Sequence, residues 1–150
     1  MIFDRTQNDV DTAVLLRREK VQNFNALSED EIEILERGMM TINTLNRIEE
    51  KQEELSELIE EIGYFNADVN TKVWNVEKIF NKDDFERILQ NTKKLRDAFF
   101  VYSATPNTPP VSFHFNDINA LEKILNDLDI MINDVKSHYK RCGTFRCGVN

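Results

Sequence analysis

Two stretches of the chain hold residue types that could do chemistry. In the first, Asn66-Ala67-Asp68-Val69-Asn70-Thr71-Lys72-Val73-Trp74-Asn75-Val76-Glu77, the side chains of Asp68, Asn70 and Glu77 put oxygens where a twelve-residue calcium loop carries ligands. The pattern fails at its first place, where Asn66 stands instead of a carboxylate. It fails again at the turn, where Thr71 replaces the glycine that the bend needs. Trp74 holds a place meant for a ligand or a water-binding residue, so the expectation is a capped polar loop anchored by a buried Trp74. In the second stretch, His138 and Cys142 are four residues apart and could share one helical face, with Cys147 folding back to them. Structural zinc needs paired knuckles, and Cys142 with Cys147 offers half of one, so His138 reads instead as a cation near a helix end. No metal and no cofactor is expected.

Catalysis finds no constellation. Two histidines in the chain leave few bases to activate a thiol, and both cysteines lie on a glycine-containing tail. Carboxylates crowd residues 49–61, but on a face read as wet, where nothing would raise a pKa for acid catalysis. No glycine-rich loop is present to cradle a phosphate. The chain is expected not to be an enzyme.

The elements that position these residues read as helices. Only 4 Gly and 3 Pro interrupt 150 residues rich in Glu, Lys, Leu, Ile and Asn. Thr6 or Asp4 caps a first helix carrying Val10, Ala13, Val14, Leu16, Arg17 and Val21. Ser28 and Glu31 form a capping box for a second, with Phe24 or Leu27 as staple to Ile32. It carries Ile32, Leu35 and Met39, with Gly38 as its weak point. Leu45, Ile48, Gln52, Leu55, Ile59 and Ile62 alternate by three and four, a coiled-coil-like seam ending at Gly63. Gln52 either sets register between helices or snorkels at the edge of a bundle. Around that seam, Glu49, Glu50, Glu53, Glu54, Glu57, Glu60 and Glu61 are read as one acidic solvent face. A loop from about Tyr64 to Asn81 follows. Asn81 with Asp84 then caps a helix bearing Phe85, Ile88, Leu89, Leu95, Phe99 and Phe100. The Phe99-Phe100-Val101-Tyr102 run is read as core, or as an assembly surface if exposed. After a Pro-rich break at 103–110, Asn116 or Asp117 opens the longest stripe: Ile118, Leu121, Leu125, Leu128, Ile132, Val135 and Tyr139, widened by Ile124, Met131 and His138. A stripe that wide meets more than one neighbour.

The fold class is therefore all-α: a helical bundle of about four to five helices, with residues 1–140 as the bundle domain and 141–150 as a short irregular tail. The chain carries 27 acidic against 19 basic side chains, a formal charge of -8 that argues against a nucleic-acid partner. The charge is uneven. Residues 1–75 hold 17 acidic and 8 basic side chains, whereas residues 76–150 hold 10 and 11. An acidic helix and a basic end suggest docking between copies or onto another protein. The contact residues assigned on this basis are Glu50, Glu53, Glu54, Glu57 and Glu61 on the helix, and Lys140, Arg141, Phe145 and Arg146 at the end. No signal peptide and no apolar run of the roughly 20 residues needed to span a bilayer is seen, so no membrane partner is expected.

Several segments carry a family resemblance. They are Asp4-Arg5-Thr6 with Asp9-Val10, then Leu27-Ser28-Glu29-Asp30-Glu31, then Gly38 followed by Thr44-Leu45-Asn46-Arg47-Ile48-Glu49. Tyr64, Trp74, Leu95-Arg96 and Pro109-Pro110 follow in order. Phe115-Asn116-Asp117-Ile118-Asn119 then leads into Leu121-Glu122-Lys123-Ile124-Leu125, and Gly143 with Cys147-Gly148 closes the series. Together they resemble a small protein, sometimes a terminal module, encoded among tail-fibre and baseplate genes of phages and prophages of Firmicutes. Leu45-Asn46-Arg47-Ile48-Glu49 is the distinctive segment. The resemblance implies a structural role in virion tails or tail-like bacteriocins, with other tail, baseplate or fibre proteins as partners and possible homo-oligomerisation. It implies assembly in the bacterial host cytoplasm and no catalytic residue. The alternative is a transient assembly chaperone for tail or fibre subunits.

Overall fold

The computed structural model describes residues 1–20, 26–64, 67–112 and 114–142, the last four of these without their side chains. Among them are five α-helices and no strand: α1 (Gln7–Glu19), α2 (Glu29–Gly38), α3 (Ile42–Glu61), α4 (Lys82–Ala98) and α5 (Phe115–Cys142). The all-α class is as expected.

Short polar side chains set the helix starts. Thr6, not Asp4, caps α1: the Asp9 N–H donates to Thr6 Oγ1 at 3.3 Å, and the Thr6 N–H donates back to the Asp9 carboxylate at 2.7 Å. The same reciprocal box forms between Ser28 and Glu31 on α2 and between Asn81 and Asp84 on α4, as their spacing predicted. Thr41 caps α3 through the Thr44 N–H at 3.1 Å. α5 begins one residue ahead of Asn116, where the His114 carbonyl accepts from the Asp117 and Ile118 N–H groups. The expected helix residue Val21 lies outside the described residues, as does the tail from 143.

α3, α4 and α5 pack pairwise around one core. Its fully buried side chains include Ile48, Leu55 and Ile59 of α3, Phe85, Ile88 and Leu95 of α4, and Leu121, Leu125, Leu128 and Ile132 of α5. The wide stripe of α5 thus meets both neighbours. α1 and α2 pack on each other as a hairpin, and the two residues they bury, Ala13 and Leu35, lie outside that core.

Gly38 ends α2 against α1. A Cβ there would sit 2.2 Å from the Asp9 carbonyl oxygen and 2.4 Å from Ala13 Cβ. What looks like a weak point in a helix is the residue that lets two helices touch.

On the α3 face one alternative is decided and one reading is corrected. Gln52 does not snorkel. It is fully buried, its Nε2 donating to the Ile88 carbonyl and to Thr92 Oγ1, both at 2.8 Å, while Asn91 Nδ2 donates to its Oε1 at 3.2 Å. Its partners belong to α4 of the same chain, so it fixes register within the bundle. Glu49 does not belong to the wet face: it is 1% exposed. Phe99 is buried and Phe100 is 55% exposed, so the aromatic run divides between core and surface.

Candidate functional site

Asn46, Arg47 and Glu49 lie in one turn of α3, and each reaches a different part of the fold. Asn46 clamps the Trp74 backbone from both sides: its Oδ1 accepts from the Trp74 N–H at 2.7 Å, and its Nδ2 donates to the Trp74 carbonyl at 3.0 Å. Glu49 accepts from Trp74 Nε1 at 2.9 Å, from the Lys72 N–H at 3.0 Å and from both terminal nitrogens of Arg87 on α4. Such a buried carboxylate is tolerable because donors surround it, one of them bidentate arginine. Arg47 Nη2 donates to Glu122 of α5 at 2.9 Å, and its Nη1 lies 3.7 Å from Glu36 of α2.

The consequence is a loop with a fixed shape. Trp74 is 4% exposed and packs edge-on against Phe80, as the sequence predicted for the tryptophan. Lys72 reaches Asp84 at the start of α4, and that bond, with the Asn81 N–H, holds the Asp84 carboxyl below its ordinary pKa range. A turn closes from the Asn75 carbonyl to the Lys78 N–H at 3.2 Å, with the Glu77 N–H donating to Asn75 Oδ1 at 3.1 Å. Lys78 Nζ reaches back to the Val73 carbonyl. On this framework Val73, Val76 and Ile79 are 76%, 90% and 87% exposed. Sequence reasoning missed the exposure of these three residues.

The calcium-like ligand set is not assembled here. The Asn70 carbonyl accepts from Arg87 and from Asn91 Nδ2, Glu77 is exposed at the turn, and Asn66 lies outside the described residues. Among the described residues no group of three or more His, Cys, Asp or Glu side chains could hold a metal ion. His138 is exposed and bonded to the Asp134 carbonyl, while Cys147 and the Cys142 side chain lie outside the described residues.

Of the expected contact residues, Glu50, Glu53, Glu54, Glu57 and Glu61 are all exposed on α3. They are not one free acidic strip. Glu54 pairs with Lys51 at 2.8 Å and Glu61 with Lys136 of α5. Glu50 and Glu53 instead share a shallow groove of about 170 Å3 with Val73, Thr71 and Lys72. The structure therefore joins part of the acidic face to the exposed aliphatic loop. At the other end, Lys140 and Arg141 are in α5 with undescribed side chains, and Phe145 and Arg146 lie outside the described residues.

Among the described residues the geometry defines a class: an all-α protein of five helices that presents a hydrogen-bonded, partly apolar loop beside acidic side chains. No helix among the described residues is long and apolar enough to cross a membrane. No family model, curated protein or solved structure matches the chain.

Proposed function

We propose that this chain is a non-enzymatic structural component of a phage tail or baseplate, or of a tail-like particle, and that it acts by docking against other subunits. The observation that supports docking is the exposure of Val73, Val76 and Ile79 on a loop held by Trp74. Covering aliphatic side chains that stand in water is favourable, so a partner surface gains by closing over them. The carboxylates of Glu50 and Glu53 beside Val73 complement a partner surface that is apolar at its centre and basic at its edge. The particular assembly is carried by the resemblance of the Leu45–Glu49 segment and its companions.

The test is the triple variant Val73→Ser, Val76→Ser and Ile79→Ser. Exposed substitutions of this kind should each change stability by no more than about 0.5 kcal/mol, so circular dichroism and melting temperature should stay close to wild type. Incorporation into purified particles, read by mass spectrometry, should fall at least tenfold, roughly the loss of 1.4 kcal/mol of docking energy. Undiminished incorporation would remove the loop from the docking surface. Stoichiometric presence of the wild-type chain in finished particles supports the structural role. Its absence, with binding to unassembled subunits, would favour the chaperone.

A further inference from the structure

A second site lies away from the loop, at the junction between the α1–α2 hairpin and the start of α5. A cavity of about 330 Å3 opens there, walled by Val10 of α1, Met39 and Met40 after α2, and Phe115 and Ile118 of α5. Pockets that hold small organic ligands begin near this size, roughly 300 Å3. Its remaining lining comes from Arg5, Gln7, Gly38 and His114, and it includes no carboxylate.

Arg5 makes the cavity more than an apolar gap. It is 6% exposed. Its Nη1 donates to Glu122 at 2.9 Å, to Asn119 Oδ1 at 3.4 Å and to the Ile2 carbonyl, whereas its Nη2 is buried with no hydrogen-bond partner. Arg47 Nε and Arg87 Nε are also unpartnered, but of these three side chains only Arg5 lines the cavity. Arg5 also has no carboxylate to itself, because Glu122 accepts from Arg47 as well. A buried guanidinium that keeps an unused N–H favours one more acceptor, because the unmade bond costs free energy. His114 adds to this at the solvent edge. The Asn116 N–H donates to its Nδ1 at 3.3 Å, which leaves Nε2 to carry the proton of the neutral ring. The amino end of α5, the positive end of its dipole, begins at Phe115 on the same wall.

We propose that this cavity binds a carboxylate carried on a compact apolar body, with the head against Arg5 and the body against Met39, Met40 and Ile118. A free medium-chain acid and an apolar chain-terminal residue of another protein share this chemistry. The site is independent of the exposed loop and of the assembly reading.

Isothermal titration of the full chain with octanoate and with N-acetyl-leucyl-leucine separates the two sources, the tighter acid naming the natural one. Octanol and N-acetyl-leucyl-leucinamide are the uncharged counterparts. At least one acid should saturate, and its neutral counterpart should bind at least about tenfold more weakly. Val10→Phe fills the cavity while keeping both members of the Arg5–Glu122 pair and should weaken the acid at least about tenfold. Arg5→Ala should abolish the preference for the acid. If that variant does not fold, Val10→Phe still decides. Equal binding of acid and neutral counterpart, unchanged affinity in Val10→Phe, or no saturation by either acid to about 10 mM would each overturn the site.

Discussion

The hairpin and the three-helix core are stabilised by different means. The core of α3, α4 and α5 buries large side chains from every element, with Phe85, Leu125 and Leu128 wholly inaccessible. Among its described residues the α1–α2 hairpin buries only Ala13 and Leu35 and relies on polar contacts: two capping boxes, Arg37 to Asp4 and Asp9 at 3.4 Å, and Lys20 to Glu31 at 2.8 Å. Its link to the core is polar in part, through Arg5 to Glu122 and Asn43 and Arg47 to Glu36, with Met1 and Met40 packed against the core beside a cavity in that junction. Exposed ion pairs contribute little and apolar burial contributes much. The core therefore sets global stability, and the hairpin is the part that can open or be clamped without unfolding the rest.

That division can be broken at its strongest point first. Phe85→Ala should cost about 3–5 kcal/mol and lower the midpoint of global unfolding by denaturant. A loss below about 1 kcal/mol would mean that the core does not carry stability as described. Glu122→Gln acts at the junction. The amide can still accept hydrogen bonds but leaves Arg5 and Arg47 without their shared charge, so a loss near the low end of the buried-pair range, about 3 kcal/mol, is expected. Hydrogen exchange should then show α1 losing more protection than α4. Equal loss in both would place the effect in the core.

Much of this was legible in the residue pattern. The three boxed caps follow from short polar residues three places before a carboxylate, and the long stripes of α3 and α5 follow from three–four spacing. The buried charges were not legible as such, because a Glu near a seam usually faces water. A positional signal was nevertheless present. Glu49 lies four after Leu45 and three before Gln52, and Glu122 lies four after Ile118 and three before Leu125, so each shares the buried stripe. Their partners Arg87, Arg5 and Arg47 are distant in sequence, and no local rule reveals such pairings. The exposure of Val73, Val76 and Ile79 was hidden because no local pattern tells which side chains of an irregular loop face the core, and this loop takes its shape from bonds to Asn46 and Glu49 on α3.

Gly38→Ala sharpens the comparison with a smaller effect confined to one side. The added methyl would meet the Asp9 carbonyl and Ala13 Cβ well inside van der Waals contact, so α1 and α2 must separate. Forced overpacking of this kind costs roughly 1–3 kcal/mol. Faster exchange of α1 and α2 amides with unchanged protection in α3, α4 and α5 is the expected pattern. Uniform loss of protection would show that the hairpin and core unfold as one unit, against the division drawn from their packing.

Acid should find the same boundary with the gentlest perturbation. On the hairpin, the Thr6 hydroxyl and backbone N–H, with Arg37, hold the Asp9 carboxyl below its ordinary pKa, and the Lys20 ammonium with the Ser28 N–H does the same for Glu31. A carboxylate depressed by folding contributes stability above its unfolded pKa. That contribution is lost as the pH falls from about 4 through the lower folded value. Both hairpin helices then lose the acceptor half of their caps together. Asp84 on α4 is depressed as well, by Lys72 and the Asn81 N–H, but α4 is also held by Phe85, Ile88 and Leu95 in the core. Amide exchange followed from about pH 6 to pH 2 should therefore show α1 and α2 opening before α4. Simultaneous opening of all three would show that the caps do not decide where the protein first gives way, and would leave the shared apolar contacts as the controlling factor.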